Sequence, residues 1–188
     1  MYGLIHTALR DMVIETYGQE IWDKIVTKSG VTADTFLSMR SYDDSVAYNL
    51  VGSTAQVLEC STESCLREFG NYWLTRAAPK VYASLLDTTG DTLFEFLDSL
   101  DDLHDKITLT FIDYSPPSFR LERLSDNHAR LHYRSKRQGL TPFVSGLIKG
   151  MEQRFDVGIT IESTEEVAVS EGEYTVFEIT VSQSHETI

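Results

Sequence analysis

Apolar positions recur every three or four residues from the N-terminus to about residue 109 and every second residue after it, so the chain reads as a run of helices followed by a small sheet. Leu4, Ile5, Ala8, Leu9, Met12 and Val13 open the first helix, which Tyr17 and Gly18 close. The same spacing predicts helices over roughly 19–29, 44–59, 62–77, 80–88 and 92–109. Gly30 and Gly90 follow helical runs, and Ser61 and Asp91 stand where N-caps belong. The pattern breaks at Pro116 and Pro117, because a residue before proline is pushed out of the α region. Residues 118–124 and 129–137 then alternate around a turn at 125–128 and predict a hairpin. A helix returns over 141–155, with Thr141 as N-cap and Pro142 at its first position. A second hairpin joins 157–163 to 174–183 around 170–173. The class is α+β, one domain over 1–188. Its helical N-terminal lobe covers about 1–60, and its C-terminal lobe, about 61–188, carries a four-stranded antiparallel sheet and helices.

A chain of 188 residues with 41% hydrophobic content can bury a substantial core. Sixteen Lys and Arg against twenty-nine Asp and Glu give a net charge of −13, which repels phosphate backbones and anionic membranes and argues against nucleic acid as a partner. The N-terminus lacks a basic stretch followed by an apolar run, and no segment approaches a membrane span; this predicts a cytoplasmic protein without membrane association. Cys60 and Cys65 point to different faces of a predicted helix and lack further zinc ligands, so they read as reduced structural cysteines. There is no nucleotide loop, His-Glu-x-x-His motif or nucleophile elbow, so the expectation is a regulatory module rather than an enzyme.

Two groups of residues suggest what such a module binds. On the helix predicted over 92–109, Leu93, Leu97, Leu100, His104 and Ile107 share one stripe, while Glu95, Asp98, Asp101, Asp102 and Asp105 lie mostly opposite. A histidine on an apolar face is either satisfied by a buried hydrogen bond or is a neutral nitrogen donor in a dry pocket, as an axial ligand of haem iron is. In Leu131–Arg137 the strand period sets Tyr133, Ser135 and Arg137 on one face. They form either an ordinary polar edge or a clamp for a carboxylate, with two hydroxyls and a planar guanidinium. Taken together, a core imidazole and an anion clamp suggest an apolar ligand with carboxylate tails, and haem is such a ligand. The competing reading is a haem-free regulatory module that holds a small apolar carboxylate with Arg137 and uses His104 only as lining.

The sequence resembles the H-NOX (haem nitric oxide/oxygen binding) family, which includes the haem domain of soluble guanylate cyclase. The resemblance covers essentially the whole chain: "MYGLI", "DMVIETYG", "YDDSVAYNLVG", "FGNYWL", "LDDLH", "PPSF", "YRSKR" and "GLTPFVSGLIKG". It implies haem b between a distal helical lobe and a proximal lobe, with His104 as the iron ligand and Tyr133, Ser135 and Arg137 on the propionates. Pro117 matches a proline that distorts the porphyrin, and Asp44 an acid that pairs with the motif arginine. Met1, Ile5, Trp73, Phe143 and Leu147 match the distal wall. The implied function is sensing of NO, and of CO, at ferrous iron, with release of His104 as the signal. In family members that hold O₂ a tyrosine stands three residues before the glycine equivalent to Gly146; here that residue is Phe143, which implies exclusion of O₂. With no effector domain after the last strand, the expected output is a separate protein: a histidine kinase, a cyclic-di-nucleotide enzyme, a chemotaxis component or a guanylate cyclase. Of the other histidines, His6 lies near the distal side without being a ligand, His128 and His132 are expected to be solvated, and His185 is in the tail.

Overall fold

The computed structural model describes residues 1–31, 36–111 and 114–183; His185 lies outside them. Helix α1 (Gly3–Tyr17) ends at Gly18, and α2 (Gln19–Ser29) ends at Gly30, which is left-handed at φ 65°. Asp43 caps α3 (Asp44–Val57) by accepting from the Ser45 amide, and Ser61 caps α4 (Thr62–Tyr72) by accepting from Ser64. No loop separates α4 from α5 (Ala78–Asp87), contrary to the helix end expected at residue 77. Trp73–Ala77 forms a π-helical turn that joins the two.

The single helix expected over 92–109 is two: α6 (Leu93–Asp98) and α7 (Leu100–Thr108). Ser99 breaks it at φ −97° and ψ 7°. The Asp98–Ser99 pair is of the type that favours local hydrogen bonding over helix continuation. The cap of α6 is Thr92 rather than Asp91, because Thr92 and Glu95 close a reciprocal capping box.

Strands β1 (Ser118–Arg123), β2 (His128–Ser135), β3 (Val157–Glu166) and β4 (Glu173–Gln183) form one antiparallel sheet in the order β1-β2-β4-β3. β2 stops at Ser135, so Arg137 lies beyond the strand that was expected to carry it. His128 belongs to β2 rather than to the turn, and neither it nor His132 is simply solvated. His128 Nε2 meets Glu178 at 2.9 Å, and His132 bridges Tyr174 and Glu122 at 2.8 and 3.0 Å.

Helix α8 (Thr141–Phe155) connects the hairpins. Thr141 is its first residue and not its N-cap. Leu140 holds that position, and the Glu173 carboxylate accepts from the Leu140 and Thr141 amides at 3.0 Å each and from the Thr141 hydroxyl. A residue of β4 thereby takes over the capping.

Two apolar cores result. One gathers Leu9, Met12, Val13, Ile25, Leu50 and Phe69; the other gathers Phe96, Leu97, Leu131, Ile148, Phe177 and Ile179. Trp73 packs against both. The backbones of α4 and α8 cross so closely at Gly70 and Gly146 that a Cβ on Gly70 would lie 2.0 Å from the Phe143 carbonyl oxygen. Cys60 is exposed and Cys65 buried, both free, and burial pushes the Cys65 thiol up to about 12. Among the described residues no helix is long and apolar enough to cross a membrane.

Candidate functional site

A cavity of about 740 Å³ is lined by residues of both cores, a volume in the range of ligand sites (roughly 300–1,000 Å³). Helix α7 brings His104 to it, the end of β2 brings Tyr133, Ser135 and Arg137, and the segment before β1 brings Pro117. Met1 and Ile5 reach it from the N-terminal side, Trp73 from the π-turn, and Phe143 and Leu147 from the first turns of α8. All ten residues predicted from the sequence therefore line one cavity. His6 is not among its lining residues. It is 1% exposed, stacked on Phe36 at 4.6 Å between ring centres, with neither ring nitrogen hydrogen-bonded among the described residues.

His104 Nδ1 is sealed from solvent and has no hydrogen-bond partner among the described residues. Burial lowers its pKa against the opposing pull of Asp101 and Asp105, which favours the neutral imidazole. Its ring stacks on Phe119 at 5.8 Å, and Phe119 in turn lies 5.4 Å from Tyr133. One helical turn before His104, Asp101 accepts from the Phe119 amide at 2.6 Å and from the Ser118 hydroxyl at 3.0 Å. The helix that bears the histidine is thus tied to the first residues of β1.

Arg137 donates from Nε to Asp44 Oδ2 at 2.8 Å and from Nη1 to the Ser115 carbonyl at 2.9 Å, while its own amide donates to Ser135 Oγ at 3.0 Å. The Met1 nitrogen lies 2.6 Å from Asp44 Oδ1. Burial pushes Asp44 up, but the hydrogen bonds from Met1 and Arg137 outweigh it and hold the carboxyl below its usual range. Burial raises Tyr133, Tyr82 and Tyr114, the last to about 12, so all three remain hydroxyl donors at neutral pH.

Tyr82, Tyr114 and Phe119 belong to the site without having been singled out in the sequence. Tyr82 stands where α5 departs from helical geometry, at φ −121° and ψ 22°. No periodicity marks Tyr114, while Phe119 stands in the "PPSF" stretch of the resemblance.

These residues fit haem. The lining is mostly apolar, a neutral imidazole faces it, and a guanidinium with two hydroxyls stands at its polar end. His104 would hold the metal and Tyr133, Ser135 and Arg137 the carboxylates.

Comparison with known proteins points the same way. A family model described as Haem-NO-binding matches residues 2–163. The soluble guanylate cyclase gcy-31 of Caenorhabditis elegans is 31% identical over 163 residues, which is 86% of this chain and 23% of that protein. In gcy-35 of the same organism the identity is 33% over 174 residues, 88% of this chain and 25% of that protein. The chain thus spans about a quarter of the length of these relatives. Among solved structures, an H-NOX protein from S. oneidensis, a mutant in the Fe(II) ligation state, superposes with a TM-score of 0.87 at 22% identity over all of both chains. The Fe(II) unliganded H-NOX protein from K. algicida does so at 0.85 and 23%, again over the full length of both. At these identities the structural likeness is one of fold.

Proposed function

Because this chain belongs to the haem-NO-binding (H-NOX) family, we propose that it is a haem-based gas sensor that binds NO and CO, excludes O₂ and signals to a partner protein. The observation that carries the reading is the meeting in one apolar cavity of His104, whose Nδ1 has no partner among the described residues, with Tyr133, Ser135 and Arg137. Haem b, when bound, would supply a ferrous iron able to take NO or CO, with His104 as its protein ligand.

The role of His104 follows from its surroundings. A ligating histidine usually donates its second ring N–H to a carboxylate or carbonyl, which raises its basicity and fixes its orientation. Among the described residues His104 has no such acceptor, so it would hold the metal of a bound haem as a weakly supported ligand, one suited to release. Release of His104 would leave α7 held by its packing and by Asp101, and a shift of α7 would be carried into β1 through the Phe119 amide. Pro117, two residues before that amide, lines the same cavity and is suited to press on a flat ligand.

On the opposite wall Phe143 offers no hydrogen-bond donor, and bound O₂, unlike NO or CO, needs one to be held. The output is a conformational change read by an effector protein: a histidine kinase, a cyclic-di-nucleotide enzyme, a chemotaxis component or a guanylate cyclase. The role is regulatory rather than catalytic, and the setting cytoplasmic. A small apolar acid is disfavoured as the occupant, because it would leave much of a 740 Å³ cavity unfilled and the imidazole without a function.

Reconstitution tests the proposal. The chain with haem should give a strong Soret band that is lost in His104→Gly and returns with added imidazole. A chain that stays colourless with ample haem contradicts the reading.

A further inference from the structure

Two carboxylates present about eight acceptor positions, and the residues already assigned supply few donors for them. Arg137 has committed Nε to Asp44 and one Nη1 proton to the Ser115 carbonyl, and a Nη2 contact of 3.5 Å to Asp44 occupies part of the rest. Among the described residues two of its five N–H groups remain free for a ligand, joined by the hydroxyls of Ser135 and Tyr133.

Tyr114 stands beside this cluster. Its backbone is fixed on both sides, its amide donating to the Phe111 carbonyl at 3.0 Å and the next carbonyl, that of Ser115, accepting from Arg137. Its ring lies edge-on to His104, 6.3 Å between ring centres. The neighbouring aromatic residues of the wall, Phe111 and Phe119, cover it with plain hydrocarbon, so what a tyrosine adds between them is one hydroxyl. Other tyrosines of the cavity spend their hydroxyls on the protein: Tyr42 accepts from the Leu37 amide, and Tyr48 donates to the Gln138 carbonyl. Among the described residues the Tyr114 hydroxyl makes no hydrogen bond, and its residue lines the cavity, which leaves that donor available to a ligand.

We infer that Tyr114 is a further carboxylate donor of this cavity, reaching the acid end of the porphyrin from the side of the Ser115 carbonyl. The assignment rests on the haem reading and goes beyond it, because the Tyr-x-Ser-x-Arg run does not include this residue.

The test compares Tyr114→Phe with the unaltered chain on two ligands, haem and haem dimethyl ester, whose carboxylates are blocked. Transfer to a scavenger protein gives the loss rates, and the melting temperature of each haem-free chain reports on the fold. Tyr114→Phe should lose haem about tenfold faster, the worth of one hydrogen bond to a charged acceptor. It should lose the dimethyl ester at the rate of the unaltered chain, with the haem-free melting temperature unchanged. An equal acceleration on both ligands, or none on haem, overturns the assignment of Tyr114 alone. An unaltered chain that takes up neither ligand overturns the haem reading itself.

Discussion

Arg137 and Asp44 meet across 93 residues of sequence, Nε to Oδ2 at 2.8 Å, and this contact ties the segment just after β2 to the start of α3. The Asp44 side chain is 38% exposed and that of Arg137 21%, so the pair is partly screened and its value is one of orientation: the carboxylate aims the guanidinium along the cavity wall. Asp44→Ala should therefore speed haem loss about fivefold, the equivalent of about 1 kcal/mol. Arg137→Ala should cost more than Ser135→Ala, because it removes the planar fork. The double variant Asp44→Ala with Arg137→Ala should lose haem no faster than Arg137→Ala alone. Additive losses would mean that Asp44 does not act through Arg137.

The Asp101 carboxylate predicts a different effect. Truncation to alanine leaves the Phe119 amide without its acceptor, and should destabilise the haem-free chain by about 2 kcal/mol in urea unfolding. Asp101→Asn keeps an acceptor and should lose less than half of that. Equal stability of all three chains would show that α7 is held to β1 by packing alone.

The chain states much of this architecture openly and conceals the rest for definable reasons. Periods of three to four and of two mark nearly every helix and strand. His104 stands out because it interrupts a stripe of leucines. The break at Ser99 stays hidden because the stripe from Leu93 to Ile107 runs unchanged across it. The π-turn at Trp73–Ala77 is hidden likewise, since it changes the hydrogen-bond ladder and not the composition. The capping of α8 by Glu173 joins residues more than thirty apart, beyond the reach of any local signal. Asp101 looks like Asp98, Asp102 and Asp105 until the fold sets it against an amide.

Acid should expose a cost carried by His6. Burial, reinforced by the positive charge at the Met1 nitrogen and opposed by Asp44, brings its pKa down to about 4, against 6.5 for an unperturbed histidine. Between these values the unfolded chain binds a proton that the folded chain refuses, so stability falls as pH drops from about 6.5 to about 4 and the loss levels off below. The gap corresponds to about 3 kcal/mol. Urea unfolding at pH 7 and pH 4 should show His6→Leu losing less stability than the unaltered chain by about that amount. Equal losses would contradict a neutral buried His6.

On the proposed function, gas selectivity should turn on Phe143. The reduced, haem-loaded chain should bind NO and CO and form no stable O₂ complex in air, and Phe143→Tyr should shift it toward O₂ binding by supplying a donor. A persistent O₂ complex in the unaltered chain, read from its absorption spectrum, would point instead to the Trp73 indole N–H, a donor that also lines the cavity.

The coordination number of the iron after NO is added to the reduced chain tests the central claim most directly. Absorption and electron paramagnetic resonance spectra should report a five-coordinate nitrosyl, as expected if His104, whose Nδ1 has no acceptor among the described residues, lets go and frees α7. A six-coordinate spectrum at every NO ratio and temperature tried would show that His104 stays bound, and would contradict the account.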